Sequence, residues 1–233
     1  MRTTLILCLF ALGCGDDGGG SNPDASTAPA MITVSGTATK REGTSSNPAA
    51  GVVVNGYKNS DPNTSLVMAT TDAAGMYSLV IPTGGVALDG YLKATLTGFL
   101  DTYLYPPKPL DADFASASLN MVNQSTLDLL SGTLCGMAQD GAKGLVAVLV
   151  VDANFMPVAG ATISSTPTAA KYCYNMGGFP NKNATMTDTD GIAYMINLAP
   201  GDVTVNASKS GSTFLSHKVN ARAGTLTTTP IAP

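Results

Sequence analysis

The sequence has no tryptophan, a single histidine (His217) and a single glutamate (Glu42). A Ser-His-Asp triad would have to use that one histidine, and the motifs Gly-x-Ser-x-Gly, Ser-x-x-Lys, His-Glu-x-x-His and Cys-x-x-Cys are all missing. The sequence therefore predicts a protein that is not an enzyme and that uses no cofactor. An unrecognised hydrolase, built on a pair of its aspartates, is the remote alternative.

Charge is also scarce, because charged residues make up only 12% of the chain. The formal net charge is −4 and no basic cluster occurs, so there is no electrostatic basis for nucleic acid binding. All acidic residues except Glu42 are aspartates, which favour turns, whereas glutamate favours helices. With 25 glycines and 14 prolines, this composition predicts short strands joined by tight turns.

No stretch is long and apolar enough to span a membrane, which takes about 20 residues. The short apolar run at residues 5–12, after Arg2, is instead typical of a signal peptide. Residues 11–14, Ala-Leu-Gly-Cys, resemble the bacterial lipobox. That resemblance implies cleavage before Cys14 and a lipid on its sulfur, which would attach the protein to a membrane. A plain secretory signal with an incidental cysteine is the alternative.

The residues that follow Cys14 have the composition of a flexible spacer. Residues 14–30 are rich in glycine, serine and aspartate, which favours a disordered tether. Residue 15 is glycine and not aspartate, which by resemblance to enterobacterial sorting favours the outer membrane. We therefore expect a protein of the cell envelope, at the outer membrane or cell surface of a Gram-negative bacterium.

The chain contains four cysteines. Cys8 lies in the predicted signal peptide and Cys14 at the lipidation site, which leaves Cys135 and Cys173 as one pair. In an oxidising compartment such a pair suggests a disulfide. It would close a loop of about 38 residues and stabilise the fold by about 3 to 4 kcal/mol in the chain-entropy model. Two free buried thiols are the alternative.

Three short segments occur in the same order in both halves of the chain. The paired segments are PAAGVVV (48–54) with PVAGATI (157–163), TTDAAGMYSL (70–79) with MTDTDGIAYM (186–195), and GYLKATLTGF (90–99) with VTVNASKSGS (203–212). The Asp of Thr-Asp-x-x-Gly suits an Asx-turn and its Gly a positive φ, so this motif marks a corner that is used twice. Two copies are too few for a solenoid and predict tandem domains.

The spacing of short strands, about seven in 90 residues, predicts an all-β fold of two tandem Greek-key β-sandwiches. The predicted organisation is a signal peptide (1–13), a tether (14–30), a first sandwich (31–122), a linker (123–142) and a second sandwich (143–233). Within the linker, Ser125 with Asp128 suggests a helix start and Gly132 a stop, so we expect one short helical turn there.

The repeated order Pro-x-Ala-Gly, then Thr-Asp-x-x-Gly, then an apolar strand and a second strand ending in Gly resembles the carboxypeptidase regulatory-like domain. The resemblance covers nearly all of residues 31–233. It implies a transthyretin-like (prealbumin-like), seven-stranded sandwich that is grouped with carbohydrate-binding-like folds. That family contributes no catalytic residues of its own, and its motifs are structural, so they transfer a fold and not an activity.

Two groups of residues are candidate binding sites. Residues 98–114 place aromatic rings beside carboxylates, a combination that suits sugar rings and hydroxyls. The candidate ligand contacts there are Tyr103, Tyr105, Asp101, Asp111 and Asp113. In the alternative, these tyrosines pack over the end of the sandwich.

The second candidate is a weak calcium site at Asp188 and Asp190, a fragment of a calcium loop that lacks the later glutamate. Otherwise the sequence predicts no metal site. We expect a lipid-anchored, non-catalytic envelope protein that displays two modules for binding or adhesion, with carbohydrate or another envelope protein as partner. The alternative is a structural or accessory subunit of an envelope complex.

Overall fold

The computed structural model describes residues 28–233. The predicted signal peptide, Cys14 and most of the predicted tether lie outside the described residues. The described part is dominated by β-strands, which confirms the all-β prediction. None of its helices is long and apolar enough to cross a membrane.

The strands alternate with short turns along both halves. The first half contains β1 (Met31–Glu42), β2 (Ser45–Pro48), β3 (Val53–Lys58), β4 (Val67–Thr70), β5 (Met76–Pro82), β6 (Gly90–Thr95), β7 (Thr102–Leu104) and β8 (Leu119–Val122). Next come α1 (Gln124–Asp128) and a π-helix (Leu129–Leu134). The second half contains β9 (Gly144–Val150), β10 (Thr162–Thr166), β11 (Lys171–Met176), β12 (Phe179–Asn181), β13 (Ile192–Leu198), β14 (Gly201–Ser208), β15 (His217–Ala221) and β16 (Leu226–Ile231).

The first half is a two-layer sandwich. In one layer, β1 pairs antiparallel with β2 and β5 and parallel with β8. In the other, β4, β3, β6 and β7 pair antiparallel in that order. Alternate side chains of β1, such as Ile32 and Val34, point between the layers, where they meet Leu79 and Ile81 of β5. This two-residue period is the usual sign of a strand with one buried face.

The second half repeats this plan. β9 pairs antiparallel with β13 and parallel with β16, as β1 does with β5 and β8. β13 continues to β11 and β12. The facing layer has the order β10-β14-β15, all antiparallel. Val203 and Val205 of β14 are buried against Val146 and Val148 of β9 in one apolar core.

The Thr-Asp-x-x-Gly segments form the same corner in both halves. Thr71 Oγ1 accepts a hydrogen bond from the backbone N–H of Val52, and Thr187 Oγ1 accepts one from Ala161, both at 2.9 Å. Gly75 and Gly191 have φ angles of 75° and 68°. The motif that the sequence repeats is thus built by the same contacts twice.

The two halves share one sheet, because β16 pairs in parallel with β9 on one side and with β7 on the other. The resulting nine-stranded sheet has the order β12-β11-β13-β9-β16-β7-β6-β3-β4. Leu92 of β6 points into the core of the first half, whereas its neighbour Tyr91 belongs to the core of the second. The two partner layers therefore cover opposite faces of the long sheet. The division of the chain at residues 123–142 stays a prediction, but its two sides are not joined by the linker alone.

The predicted helical turn in the linker is present, but both of its ends differ from the prediction. The helix is capped by Asn123, whose side-chain oxygen accepts a hydrogen bond from Thr126 N–H at 2.9 Å, and not by Ser125. Asparagine caps a helix as well as serine does, so the helix begins two residues earlier than predicted. Gly132 lies inside the π-helix, and the segment ends at Cys135.

Cys135 and Cys173 form a disulfide, which confirms the predicted pairing. Their Cα atoms are 5.7 Å apart, and the bond closes a loop of 38 residues. It connects the end of the helical segment to β11, so the linker is covalently attached to the second half. The chain-entropy model assigns a loop of this length about 3 to 4 kcal/mol.

We predict that the two repeated glycines are needed for a steric reason as well as for their backbone angles. A Cβ atom at Gly75 would overlap the carbonyl oxygen of Ala38, and one at Gly191 would overlap that of Val150. We expect Gly75→Ala and Gly191→Ala each to lower the free energy of unfolding by about 3 kcal/mol, from a positive φ and an overpacked contact together.

Gly51→Ala is the matched control in the same urea titrations. Gly51 has φ 77°, but a Cβ there meets nothing within 4 Å. Only the backbone strain then applies, which predicts a loss of about 1 kcal/mol. Equal losses in all three variants would show that the close carbonyl contacts contribute nothing.

Candidate functional site

The structure buries the two tyrosines that were predicted to contact a ligand. Tyr103 is 8% exposed and Tyr105 is 3% exposed. The guanidinium carbon of Arg222 lies 4.0 Å from the ring centre of Tyr103, and Arg222 Nη2 donates to the Tyr105 hydroxyl at 3.0 Å. A sugar ring could reach these faces only by displacing Arg222. In this geometry both tyrosines pack against the second half, and their contact with a ligand stays a prediction.

The three aspartates of the same stretch also have local contacts. Asp101 forms an ion pair with Lys93 at 2.8 Å, and Asp111 one with Lys108 at 3.4 Å. Asp113 Oδ1 accepts a hydrogen bond from a backbone N–H of β1 at 2.7 Å. The carboxylates therefore orient this loop against its surroundings and do not converge on one ligand position.

Asp188 and Asp190 accept hydrogen bonds from protein donors. Asp188 accepts from the backbone N–H groups of Gly177 and Thr189, which hold the pKa of its carboxyl below the usual value. Asp190 accepts from the side-chain amide of Asn175 at 2.6 Å. Among residues 28–233, no group of three or more His, Cys, Asp or Glu side chains could hold a metal ion. Calcium at this corner stays an untested prediction.

His217 is the first residue of β15. Burial lowers the pKa of its imidazole, an effect that the charge of Asp89 opposes. Burial therefore favours the neutral form of this side chain.

A cavity of about 500 Å³ lies between the two halves. One wall is the face of β9, β13 and β16 that the β10-β14-β15 layer does not cover. The other walls are β8, the chain before β8, and the helical segment. The lining is mostly apolar, with Leu100, Leu127, Leu130, Leu145, Ile196 and Leu226 among its residues. This volume falls within the range of about 300 to 1,000 Å³ that is typical of sites for small molecules.

One end of the cavity is polar. Arg41, Asn175, Asp190 and Tyr194 line it there. Asn175 is only 2% exposed, and its side-chain oxygen has no hydrogen-bond partner. Because a carboxylate only accepts hydrogen bonds, the contact with Asp190 fixes which amide atom faces it, and the oxygen must lie on the other side. Burial raises the pKa of the Tyr194 hydroxyl to about 12, and the charge of Arg41 and a hydrogen bond from the Asn175 side chain oppose this effect.

A strained turn lies at the same cavity, between β9 and β10. Asp152 Oδ1 accepts hydrogen bonds from the backbone N–H groups of Asn154 and Met156, at 2.8 and 2.9 Å. Asp72 Oδ1 accepts the equivalent two hydrogen bonds, from the backbone N–H groups of Ala74 and Met76, at 2.9 and 2.8 Å. The turn at Asp152 is therefore a third copy of the Asp-x-x-Gly corner, with Phe155 in place of glycine.

Phe155 adopts the backbone angle of the glycine that it replaces. Its φ is 62°, a conformation that is unfavourable for a bulky side chain. The ring lines the cavity, is 37% exposed, and packs edge-on against Phe114 of the first half with 5.9 Å between centres. Sequence reasoning missed this residue, although the match of Asp152–Met156 (DANFM) to Asp72–Met76 (DAAGM), which differs at two positions, was readable.

Comparisons with known proteins leave the chain without a family. No family model matches it, and no curated protein matches it. Several bacterial proteins of known structure are weakly similar. The minor pilin GBS52 of Streptococcus agalactiae is 13% identical, with 86% of this chain and 94% of that chain covered, at a TM-score of 0.29.

The shaft pilin SpaA of Lactobacillus rhamnosus GG is 13% identical, with 87% and 98% covered, at a TM-score of 0.27. The Bacillus anthracis TIE protein is 14% identical, with a TM-score of 0.28. The match covers 85% of this chain but only 33% of that protein. Likenesses of this strength carry no conclusion about family or function.

We predict that Arg222 stabilises the fold through the tyrosine cluster. Arg222→Met keeps most of the aliphatic stem but removes the charge over Tyr103 and the hydrogen bond to the buried hydroxyl of Tyr105. We expect the free energy of unfolding to fall by about 2 to 3 kcal/mol. Lys218→Met is the control, because its ion pair with Asp202 is exposed to solvent and should change the free energy of unfolding much less. Similar losses in urea denaturation of the two variants would contradict this role of Arg222.

Proposed function

We propose that the chain is a non-catalytic protein of the bacterial cell envelope that holds two β-sandwich modules in a fixed relative position for binding or adhesion. The observation that carries this proposal is the position of β16, which pairs with strands of both halves. Modules that are joined by a linker alone rotate freely, whereas modules that share a sheet move as one body.

The contacts around β16 support a stiff joint. Six residues of β16 pair with β9 and three pair with β7. The hydroxyls of Thr228 and Thr229 donate to the backbone oxygens of Tyr103 and Tyr105, at 3.1 and 3.2 Å. Bending the halves apart would break these bonds in a buried setting, where unsatisfied groups are costly. A stiff body of this kind suits a protein that presents a surface at a distance from a membrane.

Membrane attachment through a lipid on Cys14 is part of the proposal. Its support is the lipobox-like sequence at residues 11–14 and the polar spacer that follows. The disulfide between Cys135 and Cys173 agrees with an oxidising compartment. Membership of the carboxypeptidase regulatory-like modules is proposed on the repeated corner alone. Carbohydrate as a partner has no support from Tyr103 and Tyr105, which are buried.

We predict that Cys14→Ser converts an anchored protein into a released one. Expressed in a Gram-negative host, the unaltered chain should fractionate with membranes, and mass spectrometry should find an N-terminal Cys14 that carries the mass of attached acyl groups. The Cys14→Ser chain should appear in the soluble fraction.

Cys8→Ser is the control, because Cys8 lies inside the predicted signal peptide and its change should leave anchoring intact. An unmodified residue 14 in the mature chain, or equal membrane association of all three chains, would remove the anchor from the proposal.

A further inference from the structure

We infer that the cavity between the halves is a binding site for an elongated apolar small molecule whose one polar end is uncharged and donates a hydrogen bond. A medium-chain alcohol is the simplest molecule of this class. The cavity is lined in part by β16, the strand that carries the proposed function, but ligand binding in it and the display function are tested separately.

The size and the lining of the cavity favour an apolar occupant. Protein interiors contain few voids larger than a water molecule, because a wall without partner atoms loses its dispersion contacts. This cavity of about 500 Å³ is partly open to solvent, and its leucine and isoleucine side chains present apolar surface that a bound apolar chain would cover. At about 30 Å³ per water-sized group, it holds a chain of roughly a dozen heavy atoms with some space left.

The polar end specifies the head group. Asn175 lines the cavity, its buried side-chain oxygen has no hydrogen-bond partner, and the orientation of the amide is fixed by the contact with Asp190. A buried acceptor without a donor is unfavourable, and a hydroxyl or amide on the ligand would satisfy it. An ionised carboxylate has no proton to donate to this oxygen, and the charges of Arg41 and Asp190 at this end oppose each other, so an uncharged donor fits better.

Phe155 gives a second and independent reason to assign a site here. At the equivalent position of the other two corners the chain has Gly75 and Gly191, and only at the cavity does it have an aromatic residue with φ 62°. Strain of this kind persists where the surrounding structure gives it a role. The ring touches Phe114 across the two halves and is part of the lining, where it would cover a bound chain.

The first test uses the unaltered protein and a series of primary alcohols that displace a neutral, environment-sensitive apolar dye. Each added methylene should lower Kd about threefold to fourfold until the cavity is full at about a dozen carbons. An alcohol should bind about tenfold more tightly than the methyl ether of the same length, which cannot donate. The absence of binding, or affinity that rises without limit with chain length, would overturn the site. Equal binding of alcohol and ether would overturn the assigned head group.

The second test uses substitutions that separate binding from folding. Ala147 of β9 lies in the cavity lining, so Ala147→Phe should fill it and weaken binding of a decyl alcohol at least tenfold. Ala153→Phe, in the exposed turn beside Phe155, is the matched control and should bind as the unaltered chain does. Phe155→Gly should weaken binding several-fold while the urea midpoint stays the same or rises, because the strained backbone is relieved. Unchanged binding by both Ala147→Phe and Phe155→Gly would refute the assignment.

Asn175→Leu tests the polar contact directly and contains its own control. The variant should lose the tenfold preference for alcohol over ether, while the ether, which needs no acceptor, binds as tightly as before or more tightly. Retention of the full preference would show that Asn175 does not accept the hydrogen bond.

Discussion

The architecture depends on the pairing of β16 with strands on both sides. This C-terminal strand completes the inner layer of the second half by its parallel pairing with β9, as β8 completes the corresponding layer of the first half beside β1. Its other edge is not left open but pairs with β7. The joint therefore pairs β16, which lies beside β9 in the second half, with β7, which lies beside β6 in the first half. These two layers do not occupy equivalent positions in the two modules. One consequence is that the partner layers lie on opposite faces of the long sheet.

This joint explains why the tyrosines are buried. Tyr91, Tyr103 and Tyr105 point out of the first sandwich, where an isolated module would expose them. In the shared sheet they belong to the apolar core of the second half, and Arg222 packs over them. An aromatic stripe that looks like a binding surface in the sequence is thus the contact by which one module packs against the next. Tyrosines among aspartates give the same sequence pattern whether they form a binding surface or a contact between modules.

The local features of the fold were predictable because they are encoded locally. The corner at Thr71 to Gly75 uses a side-chain cap and a positive φ within five residues, so its repetition at Thr187 to Gly191 is visible in the sequence. The pairing of β16 with β7 joins residues more than 120 positions apart. β7 has three residues, all buried, and no alternation from which a register could be inferred. The sequence could therefore predict two sandwiches but not that they share a sheet.

The cavity follows from the same geometry. In the long sheet, the partner layer of each half covers only one face of that half's strands. Near the joint, the opposite face of those strands must be covered by other parts of the chain. On the side of β9, β13 and β16, that cover consists of β8 and the helical segment, which Cys135 fixes to Cys173. Four β8 residues and a short helix cannot fill the space that a full layer would occupy, so an apolar volume remains between them. Neither half of the chain contains this site by itself. That is why no motif within one repeat could have indicated it, and why its polar end combines Arg41 of the first half with Asn175 and Asp190 of the second.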